Sequence, residues 1–274
     1  MQTTPEIVPV GTARIAAEWA GDGQPIVFLH ANVADRRMWR HQFDALAASY
    51  QVIAFDRRGF GETAMVDETY SQTDDLFAVL DRLAGRDKPA ILVGCSRGGG
   101  IAIDAALAAP DRVAALVLVA PGVSGAPAAT PIAAVQRLLD ATELARKSGD
   151  LDEVNRLQAA LWLDGPLADE GRVSGSPRAL FLAMNAIALA APSLGRVVEP
   201  KPAWGRLDQI AVPVRILCGD LDIPHLQTRC EQLAAGLPNG RLEMLSAAAH
   251  LPSLEQPERV TQRLLVLLDD CRRG

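Results

Sequence analysis

The sequence is poor in several features, and each shortage excludes a class of protein. Its four cysteines, Cys95, Cys218, Cys230 and Cys271, stand far apart. They form none of the close-spaced pairs of a structural metal centre, and nothing in them indicates an oxidising compartment. Basic residues are outnumbered, with Lys+Arg 27 against Asp+Glu 33 and a net charge of -6. No stretch gathers enough of them to neutralise a row of phosphates, so nucleic acid is excluded as a partner. The most continuous apolar stretches, around 114–120 and 179–191, fall short of the roughly 18 residues a membrane span needs. The opening MQTTPEIVPV has neither the basic start nor the apolar segment of a signal peptide. The expectation is a cytoplasmic protein without membrane contact, metal ion or cofactor, whose partner is a small molecule.

What the chain does have is 274 residues at 49% apolar content, enough for a sizeable core. Short β-rich runs alternate with helical patterns. The predicted strands are 13–19, 25–30, 52–55, 90–93, 113–119, 214–218 and 241–245. The predicted helices are 38–48, 73–84, 98–109, 225–235 and 258–268. That order builds an α/β fold, a mostly parallel central sheet with helices on both faces. The alternation fails between Pro121 and Pro213, where apolar residues in 132–145 and 154–163 recur at helical spacing and no strand is expected. Pro/Gly-rich stretches, PGVSGAPAATP and EPKPAWG, flank this excursion. The expected organisation is a core of residues 1–122 and 206–274, interrupted by a helical cap at 123–205.

The sharpest chemical signal is Gly94-Cys95-Ser96-Arg97-Gly98, preceded by apolar AILV and followed by a helical pattern. In a strand–turn–helix of this kind the serine is forced into a strained conformation that thrusts its hydroxyl out of the carboxyl end of the sheet. The glycines let strand and helix approach closely. Cys95 reads as a packed strand side chain. A serine hydroxyl is a poor nucleophile at neutral pH, so Ser96 requires a histidine base and a carboxylate to hold that histidine's tautomer. With the order nucleophile, acid, histidine, His30 and His41 are excluded by position. His250, in the loop after its own strand, is a better base than His225, which shares a loop and helix start with the acid candidates. That loop offers Asp220 and Asp222, of which Asp222 stands further out and reaches His250 Nδ1 more readily. Two backbone donors should stabilise the oxyanion, the N–H of Arg97 and, in the turn after PIVFLH, that of Asn32.

The motifs His30-Ala31-Asn32 with Trp39, Asp56-Arg57-Arg58-Gly59-Phe60-Gly61, Gly94 to Gly98, Gly219-Asp220-Leu221-Asp222 and Ala249-His250 occur in one order along nearly the whole chain. Together they resemble the α/β-hydrolase superfamily. HANVADRRMW followed by FDRRGFGET looks like its esterase and lactonase branch, which includes 3-oxoadipate enol-lactonases. The resemblance implies a triad of Ser96, Asp222 and His250 under a lid formed by 123–205, and a structural turn around Asp56. Two departures stand out: the family commonly has His-Gly where this chain has His30-Ala31, and a glycine where Ala249 stands. Trp162, Phe181 and Met184 are candidates for lining an acyl pocket, although apolar residues at helical spacing more often mark ordinary core. Arg97, and with it Arg36, Arg37 and Arg57, offers a charge for an anionic acyl group. The expected activity is cofactor-independent serine hydrolysis of a small ester or lactone. Carbon–carbon or thioester hydrolysis by the same triad, and ligand reception without turnover, are the alternatives.

Overall fold

A computed structural model describes residues 3–273. Among these described residues ten strands and nine α-helices follow one another as β1 (Thr4–Val10), β2 (Ala13–Ala20), β3 (Pro25–Leu29), α1 (Arg40–Leu46), β4 (Gln51–Phe55), β5 (Thr69–Tyr70), α2 (Gln72–Leu83), β6 (Ala90–Cys95), α3 (Arg97–Ala108), β7 (Val113–Val119), α4 (Ala133–Ser148), α5 (Leu151–Ala159), α6 (Ser176–Ala190), β8 (Arg196–Val197), β9 (Val214–Gly219), α7 (Pro224–Gly236), β10 (Gly240–Leu245), α8 (Pro252–Glu255) and α9 (Pro257–Arg273). Eight strands make one sheet in the order β1-β2-β4-β3-β6-β7-β9-β10. β2 runs antiparallel to both neighbours, and every pairing from β4 to β10 is parallel. Parallel strands align their carboxyl ends, so the loops that leave them gather at one edge.

The central strands read as continuous apolar runs because both faces are covered. Alternate residues serve different layers, as the two-residue period of a strand demands. Ile26, Phe28, Ile91, Val93, Val117 and Val119 face one core, shared with Phe43 and Leu46 of α1 and Val260 and Leu264 of α9. Val27, Leu29, Leu92, Leu116 and Leu118 face the other, shared with Leu76 and Leu80 of α2, Ile101 of α3 and Leu233 of α7.

Three strands lie outside the sequence expectation, β1, β5 and β8. β1 forms one edge of the large sheet; its Pro5 and Pro9 weaken the strand pattern, yet proline is tolerated on an edge. Within 123–205 a two-residue strand, β8, pairs with β5 in a small separate sheet. This segment was expected to hold no strand, and two residues are too few to show a period. Its longer elements are helices, α4, α5 and α6, with a π-turn over Ala160–Asp164 after α5 and loops between them. Among the described residues no helix is long and apolar enough to cross a membrane.

Candidate active site

Ser96 joins β6 to α3 with φ 53° and ψ -118°, a conformation that residues with a side chain rarely adopt. Hydrogen bonds hold it there. Its N–H donates to the Val119 carbonyl at 2.9 Å, and its own carbonyl accepts from Gly100 at 3.1 Å and Gly122 at 2.9 Å. The glycine requirement is steric: a Cβ on Gly94 would stand 2.5 Å from the Gly98 carbonyl oxygen, and one on Gly98 would collide with the Leu29 carbonyl. Among the described residues only Ser96, Ala120 and Ala247 combine a side chain with positive φ. They follow β6, β7 and β10, so the backbone strain is concentrated at the carboxyl edge of the sheet.

His250 and Asp222 come from the loops after β10 and β9. The imidazole Nδ1 lies 2.8 Å from Asp222 Oδ2, and both side chains are buried. The other carboxylate oxygen accepts from the Ile223 N–H at 2.7 Å. Because a carboxylate only accepts, the ring proton sits on Nδ1 and Nε2 carries the lone pair. Nε2 is buried without a hydrogen-bond partner among the described residues. The Trp162 ring, carried on the π-turn, packs against the imidazole at a centroid separation of 4.7 Å. The loop is tethered from below, where the Ala249 N–H donates to Glu255 at 3.0 Å and Glu255 pairs with Arg172 at 2.5 Å. Asp220 is exposed on the same turn as Asp222, and His225 lies at the start of α7, half-buried, with its pKa lowered by burial and by Arg229. Burial holds the Cys95 thiol well above its ordinary pKa, as expected of a packed strand residue.

Ser96 and His250 open into one cavity of about 530 Å³. Asn32, Val33 and Phe60 continue its sheet-side wall, and Arg146, Gln158, Trp162, Asn185, Ala188 and Leu189 form the opposite wall from the inserted helices. Of the three residues proposed for an acyl pocket, Trp162 is here and the other two are not. Phe181 and Met184 are fully buried and belong to the core beneath the site. On α6 Phe181 and Met184 dock onto the core, whereas Asn185, Ala188 and Leu189 face the cavity; hydrophobicity at helical spacing did not separate the packed face from the open one.

The turn after β3 is gripped by two residues without assigned chemistry. His30 Nδ1 lies 2.8 Å from the Ala31 carbonyl oxygen, and His30 Nε2 accepts the Arg57 N–H at 3.0 Å, which fixes the tautomer. Arg57 Nη2 donates to the same Ala31 oxygen at 3.2 Å and to Asn32 Oδ1 at 2.9 Å. Burial, with Arg57 close by, pushes the His30 pKa well below 6.5 and keeps the ring neutral. Arg57 is itself buried and has no carboxylate within ion-pair reach among the described residues. Burial and Arg97 pull its pKa down to about 9, so it is a cation at neutral pH. The Ala31 carbonyl and the Asn32 N–H belong to one peptide unit. Two donors on that oxygen therefore polarise the N–H of Asn32. Arg97 contributes the first amide of α3, which has no intrahelical acceptor.

The arginines read as anion ligands are otherwise engaged. The Arg97 guanidinium donates to Gln72 at 2.8 Å and Glu199 at 3.3 Å, away from the cavity. Arg36 pairs with Asp56, Glu62 and Glu18, and Arg37 with Asp35. Asp56 is the hub of its turn, accepting from Arg36 and from the Glu62 N–H, and a Cβ on Gly61 would run into its carboxylate. Among the described residues no group of three or more His, Cys, Asp or Glu side chains is placed to hold a metal ion.

Comparison with known proteins agrees with this architecture. The model of the alpha/beta hydrolase family matches residues 26–263. The chain belongs to this family. The hydrolase is 28% identical over 257 residues to a pimeloyl-[acyl-carrier protein] methyl ester esterase of Nitrosomonas europaea, covering 90% of this chain and 96% of the relative. It is 28% identical, again over 257 residues, to a Bacillus subtilis protein provisionally named a 2-succinyl-6-hydroxy-2,4-cyclohexadiene-1-carboxylate synthase, with 89% of each chain covered. A thermophilic esterase from Thermogutta terrifontis superposes with a TM-score of 0.75 at 26% identity, covering 99% of both chains. These likenesses support an enzyme of the hydrolase class and do not single out the enol-lactonase branch.

Proposed function

We propose that the protein is a cofactor-independent serine hydrolase of small carboxylic esters or lactones. The observation that carries this reading is the strained Ser96 opening into the same cavity as an imidazole whose Nδ1 is committed to Asp222 and whose Nε2 is free. Ser96 Oγ attacks the substrate carbonyl carbon while His250 Nε2 takes its proton; the hydrogen bond between them forms as substrate binds. Asp222 holds the imidazolium. The amides of Arg97 and Asn32 receive the oxyanion, the second strengthened by the charge of Arg57 on its own peptide. Collapse of the tetrahedral intermediate expels the alcohol, which takes the proton from His250. Water, deprotonated by the same nitrogen, then releases the acid and restores Ser96.

Residues 123–205 act as a cap, with Trp162 shielding the His250–Asp222 pair from water. An alanine at position 31 leaves the oxyanion turn intact, because the turn is set by His30 and Arg57 acting on a carbonyl and not by a glycine. The test is hydrolysis of p-nitrophenyl acetate and butyrate. Turnover is expected in the native protein, with a loss of several orders of magnitude in Ser96→Ala. Equal rates in the two proteins contradict the proposal.

A further inference from the structure

We propose that the inserted helices hold a carboxylate carried by the substrate at the end remote from the scissile carbonyl, bound by Arg146 and Gln158. The natural substrates are then esters or lactones with a second, anionic group. This rests on the reading of Ser96 as nucleophile for its chemistry, but the subsite stands on separate observations.

The first is charge. Arg146 is the cavity's arginine, and no Asp or Glu lines the cavity with it. It has no ion-pair partner among the described residues; Glu143, three residues before it on α4, pairs with Lys147 at 3.5 Å. Arg57, the uncompensated buried cation behind Asn32, adds positive potential from the sheet side. A cavity lined by a cation and by no carboxylate attracts an anion.

The second is a chain of amides whose direction is fixed at one end. The Leu182 carbonyl can only accept, so Asn155 presents Nδ2 to it, at 2.9 Å. Asn155 Oδ1 therefore faces Asn185 and accepts from its Nδ2 at 2.9 Å. The other hydrogen of that Nδ2 goes to Gln158 Oε1 at 2.7 Å. Each amide sets the next, and the chain ends by turning the Gln158 Nε2 group, with its two hydrogens, away from Asn185. Asn185 Oδ1 remains to accept from solvent. The inserted helices thus supply a neutral donor besides the guanidinium, the set a carboxylate requires.

Arg146 is exposed at the rim. The bound anion therefore keeps part of its hydration, which lowers the desolvation cost and also limits the gain. The effect is accordingly one on KM, about tenfold in size.

The experiment compares monoethyl succinate, glutarate and adipate with ethyl butyrate, valerate and hexanoate by pH-stat titration, alongside calorimetric binding of glutarate to Ser96→Ala. In the native protein kcat/KM should favour the best anionic ester at least tenfold over its neutral counterpart. That ratio should fall about tenfold in Arg146→Ala, chiefly through KM, be partly kept in Arg146→Lys, and drop below one in Arg146→Glu. Gln158→Leu should lower it by less. A ratio unchanged in Arg146→Glu overturns the proposal while leaving ester hydrolysis by Ser96 intact. Glutarate binding that depends on Arg146 without hydrolysis of any ester supports the subsite and removes the reading of Ser96 as nucleophile.

Discussion

The two walls of the cavity are built on opposite terms. On the sheet side, the side chains that frame Ser96 are tied to one another: Asp222 to His250 and Ile223, His30 to Ala31 and Arg57, Arg57 to Ala31 and Asn32. On the side of the inserted helices, Arg146 and the Gln158 Nε2 group have no partner among the described residues. A group that must act on a transition state is fixed in advance, because orientation then costs nothing at the moment of reaction. A group that recognises a ligand keeps its hydrogen-bonding capacity for that ligand. The division assigns chemistry to the sheet edge and selectivity to the insertion.

The largest effect that can break this division comes from the sheet side. Asp222→Asn keeps the size of the side chain but favours the wrong imidazole tautomer, and kcat should fall about 10⁴-fold, as a lost orienting carboxylate does in such triads. Initial rates over a substrate series check it; a change confined to KM breaks the assignment.

A smaller loss is expected from Arg57→Met, which removes one donor from the Ala31 carbonyl and leaves the Asn32 N–H in place. Full loss of an oxyanion donor costs about 2.7 to 4 kcal/mol. Weakening one should lower kcat about tenfold with KM unchanged, and Arg57→Lys should recover part of it. A rise in KM with unchanged kcat would move Arg57 to the recognition side.

This division also explains what was legible in the sequence. The Ser96 turn could be read because its backbone demands particular residues: glycines at 94 and 98, where a Cβ meets a carbonyl, with the serine between them. His250 and Asp222 followed by elimination among few histidines and by their place after β10 and β9. The sheet was legible because its strands are buried runs, and only β1, an edge strand carrying Pro5 and Pro9, escaped. Of the cavity wall contributed by the insertion, only Trp162 was legible among the described residues. Phe181 and Met184 share helical spacing with residues that face the cavity, and nothing in the local sequence distinguishes the face docked on the core. Arg146 looks like any solvated arginine of an amphipathic helix. Arg57 sits in a motif whose role is largely the turn around Asp56, and its action on Asn32 depends on a contact 25 residues away in sequence.

The smallest expected effect concerns His30. Its pKa in the folded protein is well below 6.5, the value of the unfolded chain. The unfolded state therefore binds the extra proton first as pH falls, and stability declines below pH 6.5, by at most about 1.4 kcal/mol per pH unit, until the folded pKa is reached. Urea midpoints at pH 7 and pH 5.5 should show that decline in the native protein and a decline smaller by one proton in His30→Gln. Identical pH dependence in both would mean that His30 is not held neutral.

The most direct measurement is the rate and site of labelling by a fluorophosphonate, with the modified peptide mapped by mass spectrometry. The native protein should be labelled rapidly at Ser96, and His250→Ala should slow that labelling by a thousandfold or more, since an unactivated hydroxyl is a poor nucleophile. Labelling elsewhere, or at Ser96 with a rate indifferent to His250, would contradict the account.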